Sequence, residues 1–312
     1  MPDYQRVAAE FGLGPVLGAS PLTGGRPGVV RLATARGQFV LKPAYSAAEA
    51  RLCEQAAVVL DAAGVRQAQF LRTSTGALIS ESGHSAQEFL PGRICPRPTP
   101  AQTAAVMRHA GWYHAALARV AVPAALEAEE TIFTRVTRPG FLIQALPGLA
   151  DRAGLPPDSR EVTGRALARL ETAVPAMRGL APQLVHGDIG PDNVLMDGDQ
   201  VVAVIDFTPH SLPVIFAIAT AVYWYQVHGR PALDPAAIQA SLAAAAYRPW
   251  TPAELVTWPA MLLREALRRL ATSLAVAEQA GTPAPAAANV RYATVGAILD
   301  SWAALQPDST GG

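Results

Sequence analysis

The sequence predicts an α+β protein with a β-rich N-terminal part and a helical C-terminal part. From Leu13 to Pro43, strand-like runs alternate with the turns TGGRPG and ARG, which is typical of an antiparallel meander. A Pro91-Gly92 break follows, and beyond it apolar residues recur mainly at helical spacing. We therefore expect an N-terminal lobe over residues 1–92 and a C-terminal lobe over residues 93–312.

The N-terminal part is expected to begin with a short helix over residues 1–11, which Gly12 ends. The three strands of the meander contain LGASPL, VVRLAT and QFVLKP. A helix from Ser46 to Ala63 follows, with Gly64 after its end. The segment FLRTSTGALISES predicts a strand hairpin, and AQEFLPGR predicts one more strand before the break.

The C-terminal part is expected to begin with a long core helix from Thr99 to Val120. Leu146 to Ser159 has the composition of a loop, and a helix then runs to about Met177. The remaining expected helices cover approximately 212–228, 234–246, 251–279 and 286–305.

Composition limits the classes of partner. The chain has 312 residues and a formal net charge of zero, without a basic tract, so the electrostatic signature of nucleic-acid or anionic-membrane binding is missing. The longest apolar run, Leu212 to Tyr225, is too short to span a bilayer. The N-terminus lacks the features of a secretory signal. We expect a cytoplasmic protein without nucleic-acid or membrane partners, and the sequence does not predict its oligomeric state.

The chemistry-bearing residues concentrate in LVHGDIGPDNVLMDGDQVVAVIDF, from Leu184 to Phe207. Apolar pairs on both sides of HGDIGPDN predict short strands that flank a polar turn, so that Asp188 and Asn193 would face one cleft. A run rich in β-branched residues then predicts a buried strand that delivers Asp206 at its end.

Two carboxylates and an amide at this spacing suit phosphoryl transfer. Asp188 is the candidate base for an acceptor hydroxyl, whereas Asn193 and Asp206 are candidate Mg²⁺ ligands. Each residue alone would more often make turn hydrogen bonds, but the joint spacing favours the catalytic interpretation. A hydrolase is disfavoured because the chain contains no G-x-S-x-G motif.

Lys42 is the single lysine among 25 basic residues, which indicates a site that needs a compact ammonium. It ends the third strand, where a helix glutamate would hold it over nucleotide phosphates. We favour Glu54 for that glutamate over Glu49, which lies near the helix start and suits the helix dipole. Gly24 and Gly25 would let backbone amides approach phosphates, although an ordinary hairpin turn explains them equally well.

The order of these features, from the lysine-bearing strand through the break to HGDIGPDN and VIDF, resembles the aminoglycoside phosphotransferase and choline kinase-like superfamily over about residues 15–225. Residues 184–275 are most similar to its homoserine kinase-like branch. The resemblance implies a eukaryotic-protein-kinase-like two-lobed fold that binds ATP or GTP with Mg²⁺. Backbone groups from Glu88 to Leu90 would face the adenine edge. Thr208, where protein kinases have glycine, argues against a protein kinase.

By the same resemblance, Asp188 is the catalytic base, Asn193 and Asp206 hold the metal, and Lys42 binds phosphate. The helix after Asp206 departs from the family pattern, because it lacks the acidic residue that many members carry there. The structural or substrate contact that this acidic residue would make is therefore not expected in this chain.

The acceptor is a small hydroxylated molecule whose identity the sequence leaves open. Residues 212–312 contain six acids and six arginines, which favours a neutral or zwitterionic acceptor over a polycation. Three interpretations stand: an antibiotic-inactivating phosphotransferase of aminoglycoside or nucleoside type, a homoserine or amino-alcohol kinase, and a nucleotide-binding pseudokinase regulator. The candidate acceptor-binding residues are His210, Tyr223, Tyr225, Arg264 and Arg268.

Overall fold

The computed structural model describes residues 3–22, 28–44, 46–122, 139–153, 155–230, 232–281 and 286–306. They confirm the predicted α+β class. The helices are α1 (Tyr4–Glu10), α2 (Ala47–Ala62), α3 (Pro100–Leu117), α4 (Pro139–Arg152), α5 (Pro157–Arg178), α6 (Val214–Val222), α7 (Pro235–Ala244), α8 (Pro252–Ala280) and α9 (Ala286–Asp300). The strands are β1 (Val16–Pro21), β2 (Val30–Thr34), β3 (Gly37–Pro43), β4 (His84–Glu88), β5 (Arg93–Ile94), β6 (Gln183–His186), β7 (Val194–Asp197), β8 (Gln200–Val204) and β9 (Pro209–Leu212).

The chain divides into two compact units. The N-terminal unit comprises residues 1–97, 115–120 and 191–209, and the C-terminal unit comprises residues 98–114, 121–190 and 210–312. The N-terminal unit thus extends past residue 92 and includes the segment that carries Asn193 and Asp206, whereas Asp188 belongs to the C-terminal unit.

An antiparallel sheet of order β1-β2-β3-β4 forms the predicted meander of the N-terminal unit. Strand β3 pairs with β4 so that Lys42 lies opposite Ser85. Helix α1, capped by the side chain of Asp3, packs its apolar face on this sheet, where Val7 and Leu32 are buried. This packing gives the short helix α1 the tertiary support that a seven-residue segment lacks by itself.

The prediction of a strand hairpin in FLRTSTGALISES is wrong. Phe70 makes one isolated bridge, and the residues after it form turns. The hydroxyl of Thr73 accepts a hydrogen bond from the N–H of Ala77, and that of Ser80 accepts one from the N–H of His84. Such side-chain bonds compete with a β ladder for the same backbone groups.

A second sheet, of order β5-β7-β8, completes the N-terminal unit. Val194 lies opposite Val204, and the N–H of Ile205 donates to the carbonyl of Asn193 (2.8 Å). Gly92 precedes β5, and a Cβ there would lie 2.7 Å from the Cβ of Leu195. The Pro91-Gly92 break therefore allows two backbone segments to pack closely.

The C-terminal unit is largely helical, as predicted. Strand β6 pairs with β9, which was not predicted. The loop expected over Leu146 to Ser159 is too long, because α4 continues to Arg152 and α5 begins at Pro157. Helix α8 begins with a capping box between Thr251 and Glu254. Within the described ranges, no helix has both the length and the apolar character that crossing a bilayer requires.

Candidate active site

Lys42 and Asp206 form an ion pair in the N-terminal unit. Nζ of Lys42 donates to Oδ1 of Asp206 at 2.6 Å. Asp206 follows β8 and has φ +58°, and in the described part of the chain it is the one residue other than glycine with a positive φ. That backbone conformation costs of order 1–3 kcal/mol, and such residues cluster at functional sites. The structure therefore marks Asp206 independently of its sequence motif.

Asn193 lies beside this pair because the β7–β8 hairpin brings the two ends of its strands together. It ends a single 3₁₀ turn, Pro191–Asn193, and directly precedes β7. The N–H of Ile205, the residue before Asp206, donates a hydrogen bond to the carbonyl of Asn193, and this bond holds the Asn193 backbone beside that of Ile205. A carboxylate and an amide oxygen are donors that Mg²⁺ accepts together with water and phosphate oxygens. Asn193 and Asp206 therefore provide the kinds of oxygen ligand that a Mg²⁺ site needs.

The expected pairing of Glu54 with Lys42 is not observed. Its Oε2 accepts from Nη2 of Arg72 at 2.6 Å, so Glu54 binds an arginine rather than Lys42. Glu49 lies in the first turn of α2 after the N-cap Ser46, which agrees with a helix-dipole role. The ammonium of Lys42 is held by Asp206 instead.

Two of the remaining predicted nucleotide-binding residues, Glu88 and Leu90, lie at or just after the end of β4. Glu88 is the last residue of that strand, and its carboxylate lies 3.5 Å from Arg66. Leu90 is buried against Leu195 in the second core of the N-terminal unit. Gly24 and Gly25 lie outside the described residues. A role for these four residues at the nucleotide stays a prediction.

Asp188 is held in the C-terminal unit by two donors from different helical segments. Its Oδ1 accepts from Nε1 of Trp224 (3.1 Å) and from Nη2 of Arg269 (2.6 Å). The guanidinium of Arg269 also lies over the Trp224 ring, 4.3 Å from its centroid. Trp224 belongs to a π-helical turn, Tyr223–Val227, which continues α6. Such turns occur frequently at functional sites.

Two glycines near Asp188 are explained by close packing. A Cβ at Gly187 would collide with the ring of His210, and one at Gly190 would lie 3.0 Å from Nε1 of Trp224. The N–H of Asp188 donates to Nδ1 of His186 (3.4 Å). The polar turn therefore has little freedom, and the Asp188 carboxylate is fixed from both its backbone and its side chain.

A buried network on α8 supports the arginine that holds Asp188. Glu265 is fully buried, and its two oxygens accept from Nε and Nη2 of Arg268 at 2.7 and 2.6 Å. Its Oε1 also accepts from Nε of Arg269 at 2.7 Å. Burial by itself would raise the pKa of Glu265, but the charges of Arg268 and Arg269 hold that pKa at about 2. Glu265 is therefore ionised and fixes the orientation of Arg269.

The candidate acceptor residues lie around this network. His210 is half-buried, and burial followed by the nearby His186, Arg268 and Arg264 lowers its pKa to about 4. The guanidinium of Arg264 is buried 3.3 Å from the centroid of the Phe216 ring.

Both tyrosines named from the sequence are buried. Burial raises the pKa of Tyr223 to about 12, and its hydroxyl lies 3.4 Å from Nδ1 of His228. Tyr225 is also buried. Arg268 is engaged by Glu265, so its guanidinium has a structural role and is not a free ligand group.

Sequence reasoning missed Trp224, Glu265 and Arg269. Glu265 precedes Arg268 and Arg269 by three and four residues, a spacing that predicts ion pairs on one helix face. That signal does not show that the pairs are buried or that Arg269 reaches Asp188, 81 residues earlier in the chain.

The fold is that of the kinase-like phosphotransferases. The aminoglycoside phosphotransferase from Alicyclobacillus acidocaldarius superposes with a TM-score of 0.68 at 16% identity, and the match covers 98% of this chain and 94% of that chain. A thermostable mutant of the aminoglycoside phosphotransferase APH(4)-Ia, in a ternary complex with ADP and hygromycin B, gives a TM-score of 0.63 at 16% identity over 96% of this chain and 99% of that one.

The chain belongs to the phosphotransferase enzyme family, which it matches over residues 18–253. The homoserine kinase of Methylobacillus flagellatus is 42% identical over 94 residues, which is 29% of this chain and 29% of that protein. The chain spans less than half the length of the curated relatives that it matches.

Proposed function

We propose that this protein is a Mg²⁺-dependent kinase that transfers the γ-phosphate of ATP to a hydroxyl of a small molecule. The observation that carries the proposal is the Lys42–Asp206 ion pair beside Asn193, together with the fixed carboxylate of Asp188. The chain contains a lysine, two aspartates and an asparagine of the kinds that phosphoryl transfer uses, which supports the proposal over the pseudokinase interpretation. In this proposal the enzyme binds ATP in the cytoplasm.

In this proposal each residue has one role. Lys42 binds phosphate oxygens as a point charge, and Asp206 and Asn193 hold the metal, which when bound neutralises charge on the transferred group. Asp188 orients the acceptor hydroxyl and accepts its proton. Trp224 and Arg269 keep the Asp188 carboxylate in place before the acceptor arrives.

ATP is favoured over GTP as donor, because a similar structure contains ADP. Two acceptor classes are supported by different comparisons. The homoserine kinase relatives favour an amino-alcohol acceptor, whereas the antibiotic phosphotransferase structures favour a hydroxylated antibiotic of aminoglycoside type.

The test is mass spectrometry of reactions that contain Mg-ATP or Mg-GTP and a panel of homoserine, choline, aminoglycosides and nucleoside antibiotics. We expect one class to gain a single phosphoryl group. Asp188→Asn should lower turnover about 10²- to 10⁴-fold. The matched control is Asp192→Asn, which removes an exposed carboxylate from the same turn and should retain activity. Mg-ATP binding without phosphorylation of any compound would refute phosphoryl transfer and support a regulator.

A further inference from the structure

His114, on α3, is a fully buried histidine to which the proposed function gives no role. Its Nδ1 lies 2.7 Å from the carbonyl oxygen of Ala110, and its Nε2 lies 3.3 Å from the backbone nitrogen of His186. The N–H of His186 is a donor, so Nε2 accepts, and the ring proton lies on Nδ1, which donates to Ala110. Burial lowers the pKa of His114 to about 4, so this neutral tautomer is present at neutral pH.

A second histidine continues this path to the candidate base. His186 ends β6 and is also fully buried. Its Nδ1 accepts a hydrogen bond from the N–H of Asp188 (3.4 Å). Two side-chain-to-backbone bonds, both within the C-terminal unit, therefore connect α3 with the backbone of Asp188.

The part of α3 that carries His114 is itself held in place. Nε2 of Gln183 donates to the carbonyl of His114 (3.0 Å), and Oε1 of Gln183 accepts from the hydroxyl of Tyr247 (3.1 Å). A Cβ at Gly111 would lie 2.5 Å from the carbonyl oxygen of Ala245, so two backbone segments are in close contact there. Because interiors packed this closely deform little, α3 provides a fixed position from which His114 acts.

We propose that His114 is a positioning residue for Asp188, which acts through His186 and sets the backbone position of the catalytic turn. The inference rests on the proposed function, because it assigns a supporting residue to the base of the same site. Trp224 and Arg269 hold the carboxylate of Asp188, whereas the two histidines hold its backbone. A misplacement of about 1 Å at a reacting group can cost of order 10²-fold in rate, so loss of this support should lower kcat.

The first test needs no acceptor. In proton–nitrogen correlation NMR spectra of the free protein, the indole N–H of Trp224 reports the position of the Asp188 carboxylate, to which it donates at 3.1 Å. The signal is identified by its absence in Trp224→Phe. His114→Leu has a similar volume but offers no acceptor to His186, so we expect the Trp224 indole and Asp188 amide signals to move. His114→Gln, whose side-chain oxygen accepts the same bond, should keep both wild-type positions.

The matched control is His109→Leu. His109 is a partly buried histidine on the same helix, and its Nε2 has no hydrogen-bond partner among the residues that the structure describes. This substitution should leave both signals in place. Unchanged Trp224 and Asp188 signals in His114→Leu, or equal displacements in His114→Leu and His109→Leu, would overturn the inference.

A measurement on the wild type covers the case in which His114→Leu does not fold. Nitrogen chemical shifts of the imidazole rings should show a protonated Nδ1 in His114 and an unprotonated Nδ1 in His186. The opposite tautomer of either ring would overturn the inference, because the path from α3 to Asp188 would then be broken.

The second test uses the compound that the phosphorylation screen identifies. His114→Leu should lower kcat about tenfold or more with an unchanged Kd for Mg-ATP, and His114→Gln should restore most of the loss. An unchanged kcat in folded His114→Leu, even with a lower free energy of unfolding, would show a purely structural role and overturn the inference. Failure of the phosphorylation screen would refute the proposed function, whereas the NMR signals of the free protein would still decide whether His114 positions Asp188.

Discussion

The substitution Glu265→Gln tests whether the buried network on α8 holds the active site together. Glu265 is fully buried and accepts three hydrogen bonds from Arg268 and Arg269. The amide has no negative charge, so Arg268 loses its carboxylate partner inside the protein and Arg269 keeps only its pair with Asp188. Removing one partner of a buried ion pair costs about 3–5 kcal/mol. We expect a loss of this size in the free energy of unfolding at neutral pH.

The pKa of Glu265 gives a second estimate of the same quantity. The displacement from 4.5 to about 2 corresponds to about 3 kcal/mol of stability. Because the pKa is lower in the folded state, this stability is fully present above the unfolded pKa of about 4.5 and is lost as the pH falls towards about 2. The difference between wild type and Glu265→Gln should therefore shrink over that range.

Urea denaturation at several pH values measures both effects. The control is Glu278→Gln on the same helix, because Glu278 pairs with Arg152 at the surface, where both side chains are about half exposed. That substitution should have a much smaller effect. A change of less than about 1 kcal/mol in Glu265→Gln at neutral pH, or a difference from wild type that does not depend on pH, would refute the role given to the network.

Three further substitutions test the site itself. Lys42→Met should lower kcat/KM for ATP by about 10²- to 10³-fold while the protein stays folded, as steady-state kinetics and circular dichroism would show; unchanged kcat/KM would remove Lys42 from the site. Trp224→Phe keeps a ring under Arg269 but loses the N–H donor to Asp188, so kcat should fall about 2- to 10-fold with an unchanged Kd for Mg-ATP. An effect on nucleotide affinity alone would contradict this role. Gly187→Ala should cost about 1–3 kcal/mol in a denaturation assay because its methyl group meets the His210 ring, whereas Gly164→Ala, in an open helical position of α5, should be neutral or stabilising.

The hairpin and the loop that were predicted wrongly show where local patterns fail. FLRTSTGALISES has the composition of strands, but its hydroxyl side chains find backbone partners within four residues and form turns. Leu146 to Ser159 contains helix breakers, yet Pro147 lies inside α4. Packing of an apolar helix face outweighs the cost of a proline, and this packing is invisible in a local window.

The sequence by itself determined the features that depend on short-range pattern and residue type. Strand periodicity and turn residues predicted the meander that carries Lys42, and a β-branched run predicted the strand before Asp206. The single lysine was singled out by composition alone. These signals are local because backbone conformation and side-chain chemistry act over a few residues.

Only the tertiary structure decided which partners these residues have. Lys42 pairs with Asp206 across 164 residues rather than with the helix glutamate Glu54, and Asp188 is held by Arg269 from a helix 81 residues later. Arg269 could not be chosen among the arginines of α8 from spacing, since helical periodicity shows which residues share a face and not what that face meets. The free energy of such long-range ion pairs depends on burial and geometry, which exist only after the chain has folded.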